Sequence, residues 1–288
     1  MKERVHHLSY PAQELGGVIF LYMGPPPAPL LPQFHFLVAD GWRRIAFQGF
    51  TNCNWLQAVE NGMDPIHPAF LHKDQWPWRA PTPDRMEFFE TDWAVISKAH
   101  RPAALGYDET LSVHASVFPN LSMAVHEATD PSGLPPASAR FSTPIDDTHT
   151  VQLRVMYSPV ERQRGPRAES GSTTNGAGST EKQWGQIASG FGISPVPYKE
   201  YLESGLAHPQ LGYDIPVSAG IEDHTVIDSM GPVVDRYNEN LLTVGDIGVV
   251  RVRQRLLEAV ADVRAGRDPR GVIRDDTQNG LIVISLPQ

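Results

Sequence analysis

The sequence predicts an α+β domain, a curved antiparallel sheet in the middle of the chain with a long helix laid across it near the C-terminus. Two observations carry this. Trp93 to Ala99, Leu111 to Phe118, Leu121 to His126 and Thr150 to Tyr157 are β-branched and aromatic runs separated by clusters of Pro, Gly, Asp and Asn, as in strands joined by turns. The last third of the chain then switches to a helical period, with Asp246 to Ala265 as its longest segment.

Taken in order, residues 1–40 read as an entry strand and linker, and residues 41–288 as the domain itself. Gly17 to Met23 is a strand-like run closed by Gly24-Pro25-Pro26-Pro27, a stiff polyproline connection. Arg44 to Phe50 is another short strand, and Asn54 to Asn61 has helical composition stopped by Gly62. Within Thr150 to Tyr157, Val151, Leu153, Val155 and Tyr157 alternate with Thr150, Gln152 and Arg154, so one face of the sheet is expected to be buried. Between Glu161 and Lys182 the composition collapses to Arg, Gly, Ser, Thr and Asn, which reads as a mobile surface loop inside one domain. Beyond it Val226, Ile227, Met230, Val233, Val234 and Tyr237 recur at helical spacing, interrupted by Gly231-Pro232, with Met230 expected in the packing. Asp246 reads as the N-cap of the last helix and Gly266 as its stop.

Composition excludes several function classes. At about 150 residues per domain, 288 residues make one large domain or two ordinary ones. Lys+Arg 24 against Asp+Glu 33 gives a net charge of −9, the opposite of the basic footprint of a chain that tracks phosphates, so no nucleic-acid partner is expected. No apolar run approaches the ~20 residues that span a bilayer and no signal-type cleavage site follows the first one, so no membrane partner and a cytoplasmic location are expected. The single cysteine, Cys53, excludes a disulfide, a Cys-rich zinc site and an iron–sulfur cluster held wholly by this chain, since each needs at least two thiolates. Cys53 itself reads as a small buried hydrophobe.

The chemistry concentrates between Asn54 and His72, where two histidines and several carboxylates and amides stand among apolar residues. Asp64-Pro65 is a good cap and first-turn pair, which places His67 early in a short helix. His67 and His72 would lie ~140° apart on an ideal helix, too wide to share an ion. Sharing requires a bulge, or a helix that ends near Leu71 so that His72 folds back. Alone, such a pair is more often one buried and one surface histidine on a capped helix. A third ligand, a distant carboxylate, is available in Ile221-Glu222-Asp223-His224. His114 and His126 lie on strand candidates and read more readily as satisfied sheet histidines, while His6-His7 reads as solvated. Asp228, Asp235 and Arg236 read as surface or interhelical pairs.

These residues resemble the catalytic domain of Rieske-type non-haem iron oxygenases, in the branch similar to phthalate dioxygenase and the aryl-ether demethylases. The family's first iron motif looks like Glu-Asn-x-x-Asp-x-x-His-x-x-x-x-His, which Glu60-Asn61-Gly62-Met63-Asp64-Pro65-Ile66-His67-Pro68-Ala69-Phe70-Leu71-His72 matches at each specified position. Glu222-Asp223 followed by Ser229-Met230-Gly231-Pro232-Val233-Val234-Asp235-Arg236 resembles its third-ligand region, and Tyr10 to Pro25 and Pro144 to Thr150 also look family-like.

The resemblance implies a helix-grip fold (START/Bet v 1-like) with an apolar pocket between the sheet and the C-terminal helix. At its inner end it implies a mononuclear Fe(II) held by His67, His72 and Asp223. Asp64 would accept the free ring N–H of an iron-ligating histidine and link the iron to a Rieske cluster across a subunit boundary, and Asn61 would hydrogen-bond a ligand or water. The implied function is the oxygenase component that inserts oxygen from O2 into an aromatic, carboxylated substrate, in a homotrimer. Such subunits carry Cys-x-His and Cys-x-x-His ahead of this region, and this chain begins about where that domain would stop. No [2Fe-2S] cluster is therefore expected on it, and separate Rieske or ferredoxin and reductase proteins would supply electrons. The alternatives are a helix-grip ligand-binding domain or truncated relic without turnover, and a hydrolytic zinc site built from the same three side chains.

Overall fold

The computed structural model describes residues 9–74, 76–79, 81–104, 106–128, 131–160 and 219–286; the expected loop at 161–182 and His6-His7 lie outside them. A short hairpin of β1 (Ala12–Leu15) and β2 (Val18–Leu21) precedes one seven-stranded sheet. Its strands are β3 (Trp42–Thr51), β4 (Arg85–Glu90), β5 (Ala94–Arg101), β6 (Thr110–Val117), β7 (Leu121–Val125), β8 (Ala137–Pro144) and β9 (Thr150–Ser158). They pair antiparallel in the order β3-β9-β8-β7-β6-β5-β4, so β4 to β9 form a meander and β3 returns to pair with its last strand. The described helices are α1 (His35–Val38), α2 (Trp55–Asn61), α3 (His67–Leu71), α4 (Ala219–Ser229) and α5 (Ile247–Arg264). The antiparallel sheet with the long C-terminal α5 gives the α+β helix-grip arrangement, and the short helices α2 and α3 are inserted between β3 and β4.

Because strand side chains alternate between faces, the sheet has two chemically different sides. One carries Ile96, Ala115, Val117, Leu121, Met123, Ala139, Val155 and Tyr157 into the main apolar core, where Phe34, Phe36 and Leu37 of the entry segment pack with Ile273, Ile282 and Ile284 of the C-terminal tail. Backbone hydrogen bonds from Leu30 to Ile273 and from His35 to Ile282 stitch that segment to the tail. The other side carries Ser97, His114, Ser122, Arg140, Gln152 and Arg154, and the helices lie over it. A second apolar cluster of Val59, Met63, Val95, Val249 and Val252 joins α2 and α5 to β5. Burial of these apolar groups, at about 25 cal/mol per Å², is the main force holding the layers together.

The helix ends follow local chemistry. Asn54 caps α2 by accepting the Leu56 N–H at 3.1 Å, and the helix stops at Gly62. Gly62 comes so close to β7 that a Cβ there would sit 2.7 Å from the Ser122 Cβ, which brings α2 down onto the polar face. Asp246 immediately precedes α5, but its side chain reaches back to the Thr243 N–H and hydroxyl, both at 2.8 Å, and closes a capping box on the preceding turn. At the other end Gly266 has φ +72°, and the Gly266 and Arg267 N–H groups bond the Val263 and Asp262 carbonyls, a Schellman stop.

The expected helical run through Tyr237 ends early. Helix α4 stops at Ser229, Gly231 takes φ +90°, and Met230 and Val233 are exposed instead of packed. Among the described residues no helix is long and apolar enough to cross a membrane.

Candidate metal centre

Two helices converge over the polar side of the sheet, α3 with the residue that caps its C-terminus, and α4. The Asp64 carboxylate accepts the Ile66 N–H at 2.7 Å and the His67 N–H at 3.3 Å, which caps the first turn and fixes the start of α3. Buried Arg101 holds the same turn from below, donating to the Pro65 carbonyl through Nη2 and to Ser112 Oγ at 2.9 Å through Nη1. The helix then ends at Leu71. His72 is its C-cap, with φ −106° and ψ 14°, so its ring departs from the helical course and meets the His67 ring edge-on at 5.3 Å.

His67, His72 and Asp223 each offer one ligand atom, and the three atoms lie within 4.8 Å of one another. Asp223 Oδ1 is 3.0 Å from His72 Nε2 and 3.5 Å from His67 Nε2. Two imidazole nitrogens and one carboxylate oxygen gathered on one side are the donor set of a non-haem ferrous site. Adjacent donors ~2.1 Å from one ion lie roughly 3 Å apart, so the spacing fits a single metal ion.

The remaining ring nitrogens are occupied. His67 Nδ1 donates to the Asp64 carbonyl at 2.9 Å, and His72 Nδ1 donates to Glu222 Oε2 at 2.5 Å. Both histidines therefore turn Nε2 toward Asp223. The nearer acceptor for His67 is the Asp64 backbone carbonyl, not its carboxylate, whose Oδ2 stands 3.7 Å from Nδ1 because it is engaged by the backbone N–H groups it caps. Asn61 donates to Asp223 Oδ1 at 3.4 Å, so the carboxylate is held from α2 as well. Glu222 is the functional group that sequence reasoning passed over. Its signal was its place beside Asp223 on a helix.

Charge is concentrated here. Burial works against protonation of His67, but hydrogen bonds to Asp223 and Asp64 outweigh it and lift the ring to about 9. Burial opposes ionisation of Asp223 too, yet the two histidines and Arg140 hold its carboxyl far below the usual range. His114 faces this side of the sheet; burial first, then the cations Arg79, His67, Arg101 and Arg140, pull it down to about 3, so it is neutral. His126 is exposed and far from this role. Trp76 packs edge-on against His72 at 4.8 Å and carries Arg79 over its face at 4.9 Å. Cys53 is fully buried beside Ala58 and Ile227, and burial pushes its thiol up to about 12, as an inert small hydrophobe requires.

No family model matches the chain. It is 26% identical over 294 residues to the oxygenase subunit of 5,5'-dehydrodivanillate O-demethylase from Sphingobium sp., covering 98% of this chain and 59% of that protein. It is 25% identical over 301 residues to the oxygenase subunit of phthalate 4,5-dioxygenase from Pseudomonas putida, covering 94% of this chain and 63% of the relative. The chain is a homologue of Rieske-type oxygenase subunits. This oxygenase homologue thus spans about six-tenths of the length of the curated relatives it matches. Its fold is also that of NdmA from Pseudomonas putida CBB5, solved with caffeine, at a TM-score of 0.52 and 15% identity over 93% of this chain and 67% of the other.

Proposed function

We propose that this chain is the catalytic part of an oxygenase that inserts oxygen from O2 into an aromatic substrate, with a mononuclear Fe(II) held by His67, His72 and Asp223. One observation carries the reading: three ligand atoms, from the start of α3, its C-cap and α4, meet over the polar sheet face, and both histidines are held with Nε2 toward Asp223. Three ligands on one side leave room for small-molecule partners. Iron bound there supplies the redox chemistry of dioxygen. The protein's part is positional. Asp64 and Arg101 fix where His67 stands, Glu222 orients His72, and Asn61 steadies Asp223.

Electrons come, in this reading, from a Rieske or ferredoxin protein and its reductase; Cys53 by itself holds no iron–sulfur cluster. The expected homotrimer and the division into an entry segment (1–40) and a catalytic domain (41–288) belong to the same proposal. Support comes from the oxygenase subunits that the chain resembles along more than nine-tenths of its own length.

The test is the metal content of anaerobically purified protein, followed by single-turnover product analysis with peroxide and a panel of aromatic acids and ethers. One iron per chain and an oxygenated product are expected. Zinc in place of iron moves the site to hydrolysis, and iron without product in any member of the panel moves it to ligand binding. Asp223→Ala should abolish metal binding; full stoichiometric iron in that variant overturns the ligand set.

A further inference from the structure

Gln57 of α2 is only 1% exposed, and its hydrogen bonds go to none of the three candidate ligands. A buried amide costs free energy unless both its ends are bonded, so its partners state its purpose. Nε2 donates to the Gly231 carbonyl at 3.1 Å and to the Ile227 carbonyl at 3.5 Å, while Oε1 accepts the Val234 N–H at 3.0 Å. One side chain thereby fastens the end of α4, and the turn that follows it, onto α2. That turn needs a glycine, because Gly231 is left-handed at φ +90°.

The bonds to either side of Gln57 continue the same seam. Ahead of α2 the Asn52 N–H donates to Asp228 Oδ1 at 3.0 Å and the Asn54 N–H to the Pro232 carbonyl at 2.8 Å. Four residues past Gln57, about 6 Å along the helix, Asn61 donates to Asp223 Oδ1 at 3.4 Å. On α4, Asp223 lies four residues before Ile227, on the same face. The two helices therefore run antiparallel and are tied at levels one turn apart, the second of which holds the ligand carboxylate. Cys53, Ala58 and Ile227 form the apolar cluster of this contact. Apolar burial is non-directional and draws the helices together without setting how far one slides along the other. The directional bonds of Gln57 set it.

We propose that Gln57 is a positioning residue of the metal centre: it fixes the register of α4 on α2, and with it the reach of Asp223 toward His67 and His72. Asp223 Oδ1 is 3.0 Å from His72 Nε2 and 3.5 Å from His67 Nε2, and a site built to bind holds its groups to within about 0.5 Å. The inference rests on the reading of these three side chains as metal ligands.

The experiment loads the full chain with cobalt(II), whose visible bands respond to its ligand set, and measures affinity by chelator competition. Gln57→Leu keeps the bulk and removes all three bonds. Its affinity should fall about tenfold, the low end of the loss seen when a partner of a metal ligand is removed, and the bands should shift. In the metal-free proteins, hydrogen exchange at the Asn54 and Val234 N–H groups should quicken in the variant. Val155→Ala, in the main core on the other sheet face, is the control and should lower stability while leaving cobalt affinity within twofold. Wild-type affinity and unshifted bands in Gln57→Leu overturn the proposal. An equal loss in Val155→Ala overturns it too, by tracing the effect to general destabilisation. Should Gln57→Leu fail to fold, Gly231→Ala decides: its methyl meets nothing within 4 Å, so it strains the turn alone and should weaken cobalt binding, and unchanged affinity there overturns the proposal. A wild-type chain that binds no cobalt fells the metal reading and this one with it, whereas unchanged affinity in the variants sinks the positioning role and spares the metal reading.

Discussion

Glu222 and Asp223, adjacent in the chain, hold the two nitrogens of one ring: His72 Nδ1 donates to Glu222 Oε2 at 2.5 Å, while Nε2 lies 3.0 Å from Asp223 Oδ1. One helix thus brings both a candidate metal ligand, Asp223, and the carboxylate that orients another candidate, His72.

This relationship predicts a graded loss of metal affinity. A carboxylate on the far nitrogen of a metal-binding histidine fixes its tautomer and raises its basicity, and removing such a partner weakens binding by roughly 10–100-fold. Glu222→Ala should fall in that range in a chelator competition titration, and Glu222→Gln, which keeps an acceptor oxygen, should fall less. Wild-type affinity in the alanine variant would show that packing alone orients His72.

The approach of α2 to β7 gives a second prediction. An added methyl at Gly62 would meet the Ser122 Cβ at 2.7 Å, so Gly62→Ala should cost about 1–3 kcal/mol in urea denaturation. Ser122→Gly removes the atom it strikes, and the double variant should regain most of the loss. Additive losses in the pair would mean that the clash is not the cause.

The sequence shows the helix boundaries of this region better than its polar contacts. The conflict between a five-residue histidine spacing and a shared ion admits few solutions, and the one found, a helix ending at Leu71, was readable because His72 otherwise points away. Strand β8 was not anticipated: Ala137-Ser138-Ala139-Arg140-Phe141-Ser142 has weak β-propensity, and it is a strand because β7 and β9 pair with it on both sides. Strand β4 was missed as well, since Arg85-Met86-Glu87-Phe88-Phe89-Glu90 lacks clean alternation and lies at the sheet edge. The role of Glu222 and the partners of Gln57 depend on contacts across distant segments, which no local pattern encodes. Met230 misled because periodicity continues through Gly231-Pro232 where the backbone does not.

Arg101 ties the stability of the fold to the candidate metal centre. Only 1% exposed, it donates to the Pro65 carbonyl and to Ser112 Oγ, and so anchors the turn that presents His67. Arg101→Met would strand two buried acceptors, at about 2–4 kcal/mol for charged hydrogen bonds of this kind. Chemical denaturation should show that loss, and metal affinity should fall with it. A variant that loses stability but binds metal unchanged would uncouple the anchor from the ligand.

Asp228 supplies the pH dependence. Its carboxylate accepts the Asn52 N–H at 3.0 Å, and burial, partly offset by that hydrogen bond, pushes its pKa up to about 6. An unfolded aspartate titrates near ~3.9. Between these values the folded chain holds a proton that the unfolded chain has released, so this contribution to stability is complete below about pH 4 and is lost as pH rises through about 6. Asp228→Asn has no charge to bury and should lose that slope. Thermal melts of the two proteins at steps from about pH 4.5 to 7.5 should therefore converge at the acid end, diverge up to about pH 6 and keep a constant separation above it, with the variant the more stable. Parallel curves across the range would place the Asp228 charge in water instead of in the fold.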